Sequence, residues 1–219
     1  YHPVSLPEGV MRFHMTRRTL TPVTANNSAS LFALEGDLRL VEFHSKANAL
    51  TDESMEIVAA AAADHGKGII IHNDAQHFSA GVDLNAFRAY IEAEDWDGID
   101  GFLDRFQKAV CALKYTPVPV VGAPSGLAAG GGYEVLAHCD RLVVHTNSVM
   151  GLVEAGVGVV PGGGGIKDTF FRWHAAKDGW DEAAWQTWMN IGYGATGSSP
   201  QLSARMMYFR DGHDETVMN

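Results

Sequence analysis

Cysteine is nearly absent: the chain holds two, Cys111 and Cys139, in 219 residues. Two cysteines give no disulfide framework, and neither sits in a metal-ligand spacing. Both are expected as buried, reduced thiols. The ten histidines are scattered, without HExxH or a similar pattern, so no metal site is expected. Long apolar runs are missing too. None approaches the ~18–20 residues of a membrane-spanning helix, and no membrane partner is expected. Basic residues are outnumbered, 16 against 26 acidic, which leaves a net charge of −10. That balance excludes general nucleic-acid binding. An anionic ligand must then be met by local cations or by free backbone N–H groups. The first twenty residues lack an apolar signal-peptide core, and with the reduced thiols this points to the cytoplasm. The opening YHPVSLPEGV reads as a linker or cut site, as in a domain excised from something longer.

What is present is an ordinary globular composition, 46% hydrophobic and 19% charged, enough for one sizeable core. Residues 1–28 lack a clear period and are expected as an arm or linker, with a short strand at Val10–Met15. Two alternating runs around Glu35-Gly36-Asp37 predict a β-hairpin up to Phe43. Asp52–Asp64 carries acidic residues in its first turn and an alanine-rich body, and so predicts a helix ended by Gly66. Gly68–His72 is a short, fully apolar strand of the kind buried in a parallel sheet. Helices follow at about Asn85–Ala93 and Ile99–Lys114, the second stopped by Thr116-Pro117. Strands are predicted at Val118–Val121 and Arg141–His145, flanking a helix that starts near Tyr133. Past Gly165 the text turns helical and rich in tryptophan (Trp173, Trp180, Trp185, Trp188), which suggests a core or subunit-contact region. A last helix is expected over Ser199–Tyr208, then a strand or tail. The alternation predicts an α/β fold with parallel pairing.

The stretch Pro119–Gly165 organises the rest. It contains a triple glycine, Gly130–Gly132, and two glutamates, Glu134 and Glu154, in largely uncharged surroundings. Burial raises a carboxyl's pKa, and a pair of tuned carboxyls is what acid–base chemistry near neutrality needs. Glycine lets the backbone approach a ligand closely, and unpaired N–H groups there can stabilise a developing oxyanion. On the residues alone, a helix glutamate steadied by the macrodipole and an ordinary loop glutamate also fit. Two phosphate-loop readings fail. Gly162–Thr169 lacks the Gly-Lys-Ser/Thr order, and the GxGxxG at Gly192–Gly197 follows a Trp-rich helix instead of a strand.

Four segments carry a family resemblance. GLAAGGGYEVLAHCD and GLVEAGVGVVPGGGG, with FSAGVDL (Phe78–Leu84) and KANAL (Lys46–Leu50) upstream, resemble the signature segments of the enoyl-CoA hydratase/isomerase (crotonase) superfamily. They stand in family order, over roughly Leu31–Gly165. The resemblance implies a ββα superhelix at residues 29–165 and a helical C-terminal region at 166–219, apparently shortened. It implies trimers or hexamers, and an acyl-CoA substrate whose coenzyme A is no separate cofactor. Glu134 and Glu154 match the two catalytic glutamates. Val82 and Gly131 match the N–H donors for the thioester oxygen. Lys46, Ala47, Ala49, Ala80, Gly81, Asp83 and Leu84 match the segments along the substrate and its CoA, with Asp83 also read as a loop-fixing or helix-capping residue. Asp140, after Cys139, reads as structural. Retention of both glutamates favours hydration of trans-2-enoyl-CoA, of the fatty-acid β-oxidation type. A Δ3,Δ2-enoyl-CoA isomerase, another acyl-CoA reaction and a non-catalytic assembly module are the alternatives. The linker-like start further resembles the hydratase portion of bifunctional proteins, whose 3-hydroxyacyl-CoA dehydrogenase half would lie outside this chain.

Overall fold

The computed structural model describes residues 12–177 and 179–218. In chain order the strands are β1 (Thr24–Ala25), β2 (Ala29–Leu34), β3 (Leu38–Phe43), β4 (Gly68–His72), β5 (Val120–Ala123), β6 (Leu127–Ala129), β7 (Arg141–His145), β8 (Val149–Gly151), β9 (Thr196–Gly197) and β10 (Glu215–Val217). The α-helices are α1 (Phe13–Thr16), α2 (Asp52–Ala63), α3 (Leu84–Glu92), α4 (Trp96–Lys114), α5 (Gly131–Ala137), α6 (Gly165–Ala176), α7 (Trp180–Gly192) and α8 (Pro200–Ala204).

Seven strands form the main sheet in the order β1-β2-β3-β4-β5-β7-β10. The hairpin β2–β3 is antiparallel, turning at Gly36 and Asp37, both at positive φ. From β3 onward every pairing in this sheet is parallel. A second, three-stranded sheet runs β6-β8-β9. Two isolated bridges, Leu50 with Val82 and Ser79 with Ala128, link the loops beside it. The chain therefore repeats one unit: a strand of the main sheet, a short extended piece pairing elsewhere, then a helix. β5–β6–α5 and β7–β8–α6 are the clearest copies. This is the expected superhelix of ββα units.

Local chemistry accounts for the elements. Thr51 caps α2, its hydroxyl accepting from Ser54 N–H while the Ser54 hydroxyl accepts from Thr51 N–H. Asp83 caps α3 through Asn85 N–H at 2.9 Å, as expected of it. Asp140 accepts Val120 N–H at 2.8 Å and so ties the start of β5 to the start of β7. One apolar core joins Val41, Phe43, Val58, Ile71, Phe106, Val110, Tyr133, Leu136 and Leu142, all buried.

Several expectations need correction. Of the strand expected at Val10–Met15, Val10 and Met11 lie outside the described residues, and Phe13–Thr16 is helical. Its Phe13 packs edge-on against Phe32, at 5.3 Å between ring centroids, and a single turn achieves that contact. β5 begins two residues later than expected, because Pro117 and Pro119 cannot donate to the ladder. β6, β8 and β9 were not expected at all: pieces of two or three residues are too short to carry a strand pattern, and pairing with one another makes them extended. The last helix is confined to Pro200–Ala204, after which turns lead to β10 beside β7. Cys139 is buried, but Cys111 is only partly so, on a helix turn beside an open cleft.

Candidate active site

The second members of the ββα units bring the signature segments together. Leu50 N–H donates to Gly81 O at 2.8 Å, and Asp83 N–H donates to Leu50 O at 2.9 Å. Ala80 N–H reaches Ala47 O at 3.2 Å. Lys46, Ala47 and Ala49 thus share one wall with Ala80, Gly81, Asp83 and Leu84. Lys46, Ala47, Ala80 and Leu84 are exposed, while Gly81 is buried. The Asp83 carboxylate is occupied with Asn85. On the next layer Ala129 N–H donates to Ser79 O and Gly130 N–H to Gly151 O, at 3.1 and 2.8 Å. Those bonds seat the triple glycine between the Ser79–Asp83 loop and β8.

Gly131 lies against Val82: a Cβ placed on it would stand 2.8 Å from Val82 Cγ2 and 3.4 Å from Val82 N. Any side chain there would press on Val82 and crowd its main-chain nitrogen. Among the described residues, neither Val82 N–H nor Gly131 N–H has a protein acceptor. The Phe106 ring from α4 closes the same space from beside Gly131.

Glu134 sits in the first turn of α5 at 2% exposure. Its Oε1 accepts two main-chain bonds, from Gly163 N–H at 2.8 Å and Gly165 N–H at 2.9 Å. Burial nevertheless pushes the carboxyl up to about 7; the charge of Glu154 adds to this and the two N–H donors oppose it. Glu154 opens a short 3₁₀ turn, Glu154–Val157. Its carboxyl faces Gly130, where a Cβ would lie 2.8 Å from Oε1. Gly130 holds φ 51° and ψ −126°, a conformation that side chains rarely adopt. Burial raises the Glu154 carboxyl as well, and its Oε2 has no partner among the described residues.

A buried carboxyl that feels the charge of a second one, with two unpaired N–H donors on the neighbouring segments, can move protons at one end of a polarised bond while stabilising negative charge at the other. Residues 38–173 match the family model described as enoyl-CoA hydratase/isomerase. The chain belongs to that family. A protein of Bacillus subtilis named probable 3-hydroxyacyl-CoA dehydrogenase is 31% identical over 214 residues, covering 94% of this chain and 27% of that protein. A Rickettsia felis protein named putative fatty acid oxidation complex trifunctional enzyme is 33% identical over 153 residues, covering 68% of this chain and 21% of its own length. The chain thus spans about a quarter of these curated relatives. The solved structure titled enoyl-CoA hydratase from Geobacillus kaustophilus superposes with a TM-score of 0.74 at 20% identity, over 89% of this chain and 70% of that one. It establishes the crotonase fold.

Sequence reasoning missed the residues that support Glu134. The Gly162–Gly165 run reads as a loop, yet it supplies both donors to the carboxylate. His138 and Asp168 are buried beside it. The one available signal was spacing: His138 stands four residues after Glu134, at the C-terminal cap of α5. An open, mainly apolar cleft of about 740 Å³ adjoins this loop, lined by residues of α4, α6 and α7 with Pro161–Gly164, and by neither glutamate. Among the described residues no helix is long and apolar enough to cross a membrane.

Proposed function

We propose that this chain is an enoyl-CoA hydratase, adding water reversibly to trans-2-enoyl-CoA to give 3-hydroxyacyl-CoA. The observation that supports the reading is a buried carboxyl that feels the charge of a second, partly buried one, together with two unpaired N–H donors beside a glycine where a side chain would press on Val82. Val82 N–H and Gly131 N–H polarise the thioester carbonyl and hold the negative charge that gathers on its oxygen. Glu134 and Glu154 hold one water between them. Glu134 takes a proton as the water oxygen bonds Cβ, and Glu154 supplies the proton that ends on Cα. A carboxyl poised near 7 suits this reversible exchange at neutral pH. Exposed Lys46, Ala47 and Ala80 are the residues we assign to the CoA moiety. Coenzyme A enters as part of the substrate.

The relatives' printed names favour a wider setting, in which the chain is the hydratase portion of a protein that also carries 3-hydroxyacyl-CoA dehydrogenase activity. Exposed Phe171, Trp180, Trp185, Trp188 and Tyr193 give α6 and α7 an apolar face of the kind that assembly covers, in keeping with a trimer or hexamer.

The test is loss of the conjugated enoyl-thioester absorbance of crotonyl-CoA, with Glu134→Gln and Glu154→Gln alongside. Rapid loss that both substitutions abolish is expected. A folded wild-type protein that binds CoA without consuming crotonyl-CoA would refute the hydratase reading.

A further inference from the structure

Behind Glu134 lies a second buried polar cluster that the proposed chemistry does not use. His138 Nδ1 is 2.7 Å from the Glu134 main-chain oxygen, so this nitrogen carries a proton and donates it. Nε2 is 3.1 Å from Asp168 Oδ2 without an aligned hydrogen bond; the contact attracts when Nε2 also carries a proton, which burial opposes and the Asp168 charge favours. Asp168 also pairs with Lys114 at the end of α4 and lies 3.6 Å from Lys167 Nζ. One carboxylate therefore ties together three helices: α4 through Lys114, α5 through His138, and α6, whose first turn carries Asp168.

The tie acts where Glu134 is held. Gly165, which donates to Glu134 Oε1, is the first residue of α6. Asp168 N–H closes that first turn on Gly164 O at 3.2 Å. Gly164 sits at φ 103°, and a Cβ there would be 2.9 Å from His138 Cε1, so the imidazole packs directly on the loop. We propose that His138, Asp168 and Lys114 form a positioning unit for Glu134, clamping the start of α6 so that Gly163 and Gly165 N–H stay on its carboxylate. His138 and Asp168 touch neither substrate nor the reacting atoms. The charged groups facing His138 are Asp168 and Lys167 on α6 and Lys114 on α4. Glu134 shares its helix and in turn faces Glu154. The inference deepens the hydratase reading and rests on it for its kinetic arm only.

The experiment uses His138→Phe, which fills the space without nitrogens, and His138→Gln, whose amide still reaches toward Asp168. Glutamate carboxyls labelled with ¹³C are titrated by NMR, Glu134 being assigned by the signal lost in Glu134→Gln. His138→Phe is expected to raise the Glu134 midpoint by about one pH unit, since released N–H donors no longer favour the carboxylate. It should lower kcat on crotonyl-CoA about ten-fold or more, with KM changed less than about three-fold. His138→Gln should recover most of both effects. Should His138→Phe fail to fold, Asp168→Ala decides. Loss of the clamp raises the Glu134 midpoint there, whereas loss of the Asp168 charge alone lowers it. An unmoved or lowered midpoint, or equal losses in His138→Phe and His138→Gln, would overturn the proposal. The titration needs no turnover, so it answers even if the chain does not hydrate crotonyl-CoA.

Discussion

Glu134 and Glu154 are the same residue type in one glycine-rich neighbourhood, yet the protein holds them differently. Glu134 stands on a fully buried helix, with two N–H donors on one oxygen and a charged brace behind it. Glu154 rides on a single 3₁₀ turn beside exposed Ala155, Gly156 and Val157, with one oxygen unpartnered. Burial raises both carboxyls and main-chain N–H groups oppose the rise at both, from Gly163 and Gly165 at Glu134 and from Val153 and Glu154 itself at Glu154. Placement on a helix and on a short turn thus separates a carboxyl held by neighbouring loop donors from one that leaves an oxygen unpaired. In the proposed mechanism the held carboxyl takes the proton from water and the other supplies the proton to Cα.

The largest expected effect would break the comparison outright. Glu134→Gln and Glu154→Gln should each lower kcat for crotonyl-CoA hydration by about 10²–10⁴, the range for a lost general acid or base. Steady-state kinetics checks this, and a variant with near wild-type kcat would remove that glutamate from the mechanism. The pH profile sharpens the assignment. With Glu134 acting as base, kcat/KM rises as pH increases through about 7, the value to which burial pushes Glu134. Glu154→Asp is expected to retain that bend in its residual activity.

Gly131→Ala should come next, with a loss of about 10²–10³ in kcat, the cost of an oxyanion donor. Its methyl would press on Val82 Cγ2 and crowd both nitrogens. CoA affinity, read by calorimetry, should change much less, since the Lys46–Leu50 wall is untouched.

Stability against pH distinguishes the two glutamates by a smaller amount. The native Glu134 carboxyl titrates near 7, above its unfolded value of 4.5, so the folded state binds the proton more tightly. Its contribution is full below about 4.5 and is lost as pH rises through about 7. Glu134→Gln should therefore gain stability over wild type at pH 8 relative to pH 4, by on the order of 3 kcal/mol. Denaturant unfolding at both pH values measures it, and equal differences at the two would show that Glu134 pays no burial penalty. Gly130→Ala should have the least effect, about 1–3 kcal/mol of strain from its positive φ. Its melting temperature should fall, and the Glu154 carboxyl, which faces the added methyl, should shift its titration.

Much of this was legible in the sequence because it depended on local chemistry. Gly68–His72 and Arg141–His145 read as strands from their apolar, β-branched runs and are strands over those residues. Asp52 and Glu53 announced α2, and Asp83 announced the start of α3. Glu134 and Glu154 stood out by their uncharged, glycine-rich surroundings. The small sheet did not, since Leu127–Ala129 and Val149–Gly151 become strands only by pairing across twenty residues. Nor did the brace on Glu134. Lys114, His138 and Asp168 come from three separate helices, and each looks like an ordinary surface or helix residue in the text.

The sequence by itself determined most strands of the main sheet and the longer helices between them, the run of glycines in the centre, and the two glutamates beside it. Spacing, propensity and glycine's missing Cβ are local properties that need no partner. Only the tertiary structure decided that Val82 lies against Gly131, that Gly163 and Gly165 donate to Glu134, and that Asp168 meets His138 and Lys114. Burial and main-chain direction set those relations, and both arise only when distant segments pack.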